Sequence, residues 1–72
     1  MTDDKVSIER TATRLRKARQ ASGLTQAEVA KRASISENHY AQIERAEKNP
    51  TVSTFKSIIK ALGVSSSEIL DK

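Results

Sequence analysis

The sequence predicts an all-α domain of five short helices, and three observations carry that prediction. Apolar and small residues recur at spacings of three and four along most of the chain, which is the period of a helix face and not of a strand. The strongest chain-breaking residues, Gly23, Pro50 and Gly63, fall between those stretches. Thr25, Ser36, Thr51 and Ser65 each stand where a helix needs an N-cap.

Residues 1–6 are mostly polar and are expected to form a flexible N-terminus, leaving 7–72 as the folded domain. From Ser7 to Ser22, the positions Ile8, Ala12, Leu15 and Ala18 share one helical face, and Gly23 closes the helix as a C-cap. Thr25 opens a second helix. With Glu28 it has capping-box spacing: the hydroxyl accepts from the amide three residues on, and the carboxylate reaches back. Val29, Ala30 and Ala33 supply that helix's inner face, and Ser34 and Ile35 make a short turn. Ser36 caps a third helix, expected to run to about Ala46 with Tyr40 and Ile43 inward.

Lys48, Asn49 and Pro50 form a loop. Thr51 caps a fourth helix with Val52, Phe55, Ile58, Ile59 and Leu62 on one side, and Gly63 stops it. Ser65 and Glu68 repeat the capping-box spacing and start a short fifth helix carrying Ile69 and Leu70. These helices must share one small core of Leu15, Leu24, Val29, Ile35, Tyr40, Ile43, Val52, Phe55, Ile58, Leu62 and Val64. Ala30 and Ala33 are small enough to let the second and third helices approach across a short turn.

The chain of 72 residues is one domain, near the lower size limit for a core without staples. It has no cysteine, which excludes disulfides and thiolate metal sites. His39 alone cannot make a zinc site, so neither a metal nor a cofactor is expected. No apolar stretch is long enough to span a membrane, and Met1 to Lys5 has no apolar run. A signal peptide is therefore not expected, and a cytoplasmic location follows. No nucleophile–base pair, carboxylate pair or phosphate-binding loop is visible, so the chain is not read as an enzyme. Thirteen basic against nine acidic residues give a net charge of +4, a sign that suits a polyanionic partner. Arg10, Arg14, Arg16, Lys17 and Arg19 lie in a stretch without an acidic residue, although a charge run alone is more often a solvated helix face.

Residues 24–45 read LTQAEVAKRASISENHYAQIER. They resemble the helix-turn-helix of the phage repressor and Cro (XRE-type) family, and the flanks extend the resemblance over about residues 8–70. It rests on Leu15, Arg19, the run Gly23 to Gln26, Val29 and Ala30, Ile43 to Arg45, Asn49 and Pro50, and Ala61 to Val64. Two positions depart from the pattern. Ser34 stands in the turn where glycine is frequent, and Ala46 replaces a frequent glycine after the third helix. Neither residue favours a left-handed backbone.

The resemblance implies a sequence-specific DNA-binding transcriptional regulator, with helices two and three as the helix-turn-helix and the third entering the major groove of double-stranded DNA. It also implies a homodimer on a palindromic operator, since one recognition helix reads only a few base pairs. The alternative is an antitoxin-type regulator of the same fold that also binds a protein partner.

With Tyr40 and Ile43 inward, Glu37, Asn38, His39 and Gln42 become the candidate base contacts. Asn38 and Gln42 can each pair bidentately with adenine. Glu37 either accepts from cytosine or only stabilises its helix N-terminus, and His39 makes either a pH-sensitive contact or an incidental surface one. Arg14, Lys17, Thr25, Gln26, Lys31, Arg45, Lys48 and Asn49 are candidate DNA backbone contacts, which fix register and supply salt-dependent affinity. Thr25 stands at a helix N-terminus, a natural phosphate seat.

In the family, the glutamine corresponding to Gln26 supports a DNA backbone contact and meets the third helix. The arginine and glutamate corresponding to Arg19 and Glu44 form an ion pair beneath the motif. The residues agree: Arg19 lies one turn after Leu15, and Glu44 follows inward Ile43. Val64, Ile69 and Leu70 form the dimer interface or else close the monomer core. The chain ends at Lys72 without a ligand-sensing segment, so no small-molecule effector is expected.

Overall fold

The computed structural model describes residues 4–69. Five helices follow in order: α1 (Asp4–Ser22), α2 (Gln26–Ala33), α3 (Glu37–Glu44), α4 (Val52–Leu62) and α5 (Ser66–Ile69). α2 packs against α3 and α4, and α1 packs against α3, α4 and α5. Helix α1 starts earlier than its apolar face requires, so residues 4–6, expected to be flexible, are helical. Extending an existing helix fixes one residue per hydrogen bond and costs little beside nucleation.

The N-caps form where the hydroxyl residues stand. Thr25 Oγ1 accepts from the Glu28 amide at 3.1 Å, and Glu28 Oε1 accepts from the Thr25 amide at 2.8 Å, a complete capping box. Ser36 accepts from the His39 amide at 3.0 Å and Thr51 from the Thr54 amide at 3.1 Å. The box at α5 is half-formed. Glu68 accepts from the Ser65 amide at 2.9 Å, but the Ser65 hydroxyl points to the Glu68 carboxylate at 3.2 Å.

The first four helices end alike. A left-handed residue follows each, at Gly23 (φ 73), Ser34 (φ 62), Ala46 (φ 61) and Gly63 (φ 73). The next amide then donates back over the turn: Leu24 to Arg19 O, Ile35 to Ala30 O, Glu47 to Gln42 O and Val64 to Ile59 O. This 6→1 bond is the Schellman closure. It ends α3 at Glu44, two residues short of the Ala46 boundary expected from sequence. At three of the four closures the donor is apolar (Leu24, Ile35, Val64) and packs against the core. At the fourth the donor is Glu47, which is exposed.

Leu15, Val29, Ala30, Ala33, Tyr40, Ile43, Ile58, Leu62 and Ile69 form the core, with Leu24, Ile35, Phe55 and Val64 partly buried against it. Val52, expected inside, is 72% exposed. Periodicity assigns a face, but burial also needs a neighbour opposite. Val52 is the first residue of α4, and Thr51 and Ser53 on either side are exposed as well. Ile69, a candidate for the dimer surface, is instead a core residue at 2% exposure. A chain this short has few large apolar side chains, and the core takes it. Val64 is only partly buried, and Leu70 lies outside the described residues.

Candidate nucleic-acid interface

Helix α3 is presented by the Ser34–Ile35–Ser36 turn and held from behind. Tyr40, Ala41, Ile43 and Glu44 are buried, Glu37 and Asn38 are exposed, and His39 and Gln42 are half-buried. Asn38 and Gln42 are four residues apart, one turn along a single stripe. The burial of Ala41 narrows the outward face to that stripe and the tip at Glu37. Alanine is too weakly apolar to announce this in the sequence.

Beneath α3 lies a charged cluster. Arg19 Nε donates to Glu44 Oε2 at 2.6 Å and Arg19 Nη2 to Glu44 Oε1 at 3.3 Å, a two-pronged pair between α1 and α3. Arg19 Nη1 donates to the Leu24 carbonyl at 3.0 Å, and Gln26 Nε2 donates to Glu44 Oε1 at 3.0 Å. The Glu44 side chain is 2% exposed and that of Arg19 15%. Burial alone would raise the Glu44 carboxyl, but its interactions with Arg19, Tyr40 and Gln26 outweigh that and hold it below the ordinary carboxylate range. Arg19 is raised in turn, chiefly by its bond to Glu44. The Tyr40 hydroxyl is enclosed without a partner at hydrogen-bond geometry. Burial first and Glu44 second push its pKa well up, so it stays neutral.

The start of α2 meets this cluster through Gln26. One amide hydrogen of Gln26 is used by Glu44, which leaves the second for another acceptor. The Thr25 and Glu28 amides close the capping box on themselves, and the bonds from Thr25 lower the Glu28 carboxyl. The amides of Gln26 and Ala27 remain available to an anion.

The candidate backbone contacts separate into two groups. Lys31, Lys48 and Asn49 are exposed on α2 and on the loop after α3. Arg45 is exposed in the same region, but Glu47 holds it: Arg45 Nε to Glu47 Oε2 is 2.9 Å and Arg45 Nη2 to Glu47 Oε1 is 3.0 Å. The pair raises the guanidinium pKa and lowers that of the carboxyl. Its only trace in the sequence is a pair of opposite charges flanking Ala46. Arg14 and Lys17 lie elsewhere. They line a groove with Ala18, Val64, Glu68 and Ile69, and Arg14 Nη1 donates to the Ile69 carbonyl at 3.3 Å. Arg14 and Lys17 thus lie at the α1–α5 contact, whereas Arg19 of the same run serves the cluster beneath α3. Among the described residues no group of three or more His, Asp or Glu could hold a metal ion, and no helix is long and apolar enough to cross a membrane.

A short helix locked at its back, following another helix across a tight turn, defines a helix-turn-helix domain. Residues 15–69 match the helix-turn-helix family HTH_3, and the chain belongs to that family, whose members are DNA-binding transcriptional regulators and not an enzyme class. It is 42% identical over 52 residues to the uncharacterized HTH-type transcriptional regulator y4dJ of Sinorhizobium fredii, across 72% of this chain and 68% of that protein. It is 37% identical over 57 residues to the immunity repressor protein of Bacillus phage phi105, across 79% of this chain and 40% of the repressor. The clp gene regulator ClgR from C. glutamicum superposes with TM-score 0.82 at 27% identity, over 86% of this chain and 80% of that one. The fold is also that of the restriction-modification controller C.AhdI from Aeromonas hydrophila, with TM-score 0.87 at 23% identity over 90% of this chain and 98% of that one.

Proposed function

We propose that this regulator binds DNA sequence-specifically as a homodimer, each copy laying α3 into the major groove of one half of a palindromic operator. One observation carries the reading: the outward stripe of α3 is Asn38 and Gln42, side chains able to pair bidentately with adenine, on a helix whose other side is fixed by Tyr40, Ile43 and the Arg19–Glu44–Gln26 cluster. Thr25, Gln26, Lys31, Lys48 and Asn49 then hold the flanking phosphates, and Glu37 and His39 lie at the edge of the readout surface. Two-fold pairing is supported by arithmetic: one short helix reads too few base pairs for useful discrimination. With Ile69 committed to the core, partly buried Val64 is the described residue left to such a contact. Similarity to a phage immunity repressor supports repression as the mode of regulation.

Selection of bound duplexes from a random pool, followed by sedimentation of the complex, tests both parts. A two-fold symmetric consensus with two chains per duplex is the expected result. No enrichment over the starting pool would overturn sequence-specific binding, and an asymmetric consensus bound by a single chain would overturn the dimer.

A further inference from the structure

We infer that Glu47 is a specificity-determining residue: its ion pair with Arg45 competes with DNA phosphate, so that Arg45 adds affinity only where a phosphate is held in register. The inference rests on the proposed docking of α3 in the groove. Three Schellman closures place an apolar side chain against the core, at Leu24, Ile35 and Val64. The closure after α3 does not. There the left-handed turn at Ala46 and the bond from the Glu47 amide to Gln42 O at 2.8 Å bring a carboxylate back over the helix end. That carboxylate meets Arg45 in a two-pronged contact of 2.9 and 3.0 Å, with both side chains 53% exposed. A guanidinium has one planar fork, and a carboxylate and a phosphate fit the same fork. Glu47 and a phosphate are therefore alternatives for Arg45.

Exchange costs the internal pair. A phosphate fixed by base contacts from α3 can replace both prongs, whereas a loosely held phosphate on random sequence cannot. Glu47 thus weakens non-specific binding, which is almost wholly phosphate contact, more than specific binding.

The test is a double-mutant cycle on the full chain: wild type, E47Q, R45A and the double variant, titrated against the selected duplex and a random duplex over a range of salt. E47Q should tighten the random duplex by about two- to fivefold, the range of an exposed pair, and the selected duplex less. Its log K against log salt slope on random DNA should steepen by about one unit. In the R45A background, removing Glu47 should leave the slope unchanged. An equal gain from E47Q with and without Arg45 would show that Glu47 only repels DNA as a charge, and would overturn the proposal. So would a wild-type ratio of specific to random affinity that E47Q leaves intact. Wild type binding neither duplex would overturn the DNA-docking reading itself, a result distinct from either of those.

Discussion

Arg19 and Glu44, on the first and third helices, meet through two prongs of 2.6 and 3.3 Å, and Gln26 at the start of the second helix donates to the same carboxylate at 3.0 Å. One buried carboxylate on α3 thereby ties that helix to both α1 and α2. Burial of an ion pair is favourable only when geometry and extra hydrogen bonds compensate the lost hydration. Here the Leu24 carbonyl and the Gln26 amide supply those bonds.

Removing one partner strands the other. Glu44→Ala leaves a largely buried guanidinium and an unpaired Gln26 amide, and should cost about 3–5 kcal/mol. A domain of this size has a total stability of the same order, so the variant should be substantially unfolded. Chemical denaturation followed by circular dichroism measures this. A midpoint within a few tenths molar of wild type would show that the cluster is dispensable.

The same carboxylate makes the fold acid-sensitive. The folded-state pKa of Glu44 lies below its ordinary value of 4.5, despite burial that alone would raise it. Its stabilisation is therefore fully present above about pH 4.5 and is lost as pH falls through the lower, folded-state value. Glu44→Gln should be less stable than wild type at neutral pH, and that gap should narrow as the solution is acidified below about pH 4.5. Glu28 and Glu47 are lowered too, so some slope remains in the variant. A gap that stays constant between neutral pH and pH 3 would remove Glu44 as the source.

Most of the fold was legible in the residues because local signals and global packing agree. Thr25 with Glu28, Ser36, Thr51 and the two glycines mark element ends by chemistry that acts within a single turn. The failures lie where burial or pairing depends on distant groups. Val52 has the right spacing for the core but nothing packed over it, and Ile69 looked like spare apolar surface until α5 folded onto α1. The placement of Arg14 and Lys17 along the α1–α5 groove likewise depends on how α5 folds back, which a basic run alone does not show. The Arg45–Glu47 pair was hidden because it depends on a left-handed alanine, a conformation that residue rarely adopts.

Gln42 supplies the direct test of readout. The residue lies half-buried on the outward stripe of α3, one turn after Asn38. Gln42→Ala should lose about 1–3 kcal/mol on the selected duplex and relax the preference at one base pair per half-site. Equal losses on selected and random DNA would mean that Gln42 does not read a base.

Two non-glycine residues in left-handed conformation bracket α3. Ser34 and Ala46 both hold left-handed backbone, at φ 62 and φ 61, where the corresponding turns after α1 and α4 use glycine. A side chain in that region costs about 1–2 kcal/mol through contact between Cβ and the following carbonyl. Glycine removes that cost but adds about 0.5–1 kcal/mol of backbone freedom to the unfolded chain. The balance favours glycine, so Ser34→Gly and Ala46→Gly should each stabilise the domain by about 0.5–1 kcal/mol. The two positions are separated by the whole of α3 and are not hydrogen-bonded to each other, so their gains should add. A thermal midpoint raised by several degrees in the double variant is the expected measurement. A double variant melting at or below wild type would mean that the side chains of Ser34 and Ala46 contribute more to the folded state than their backbone strain removes.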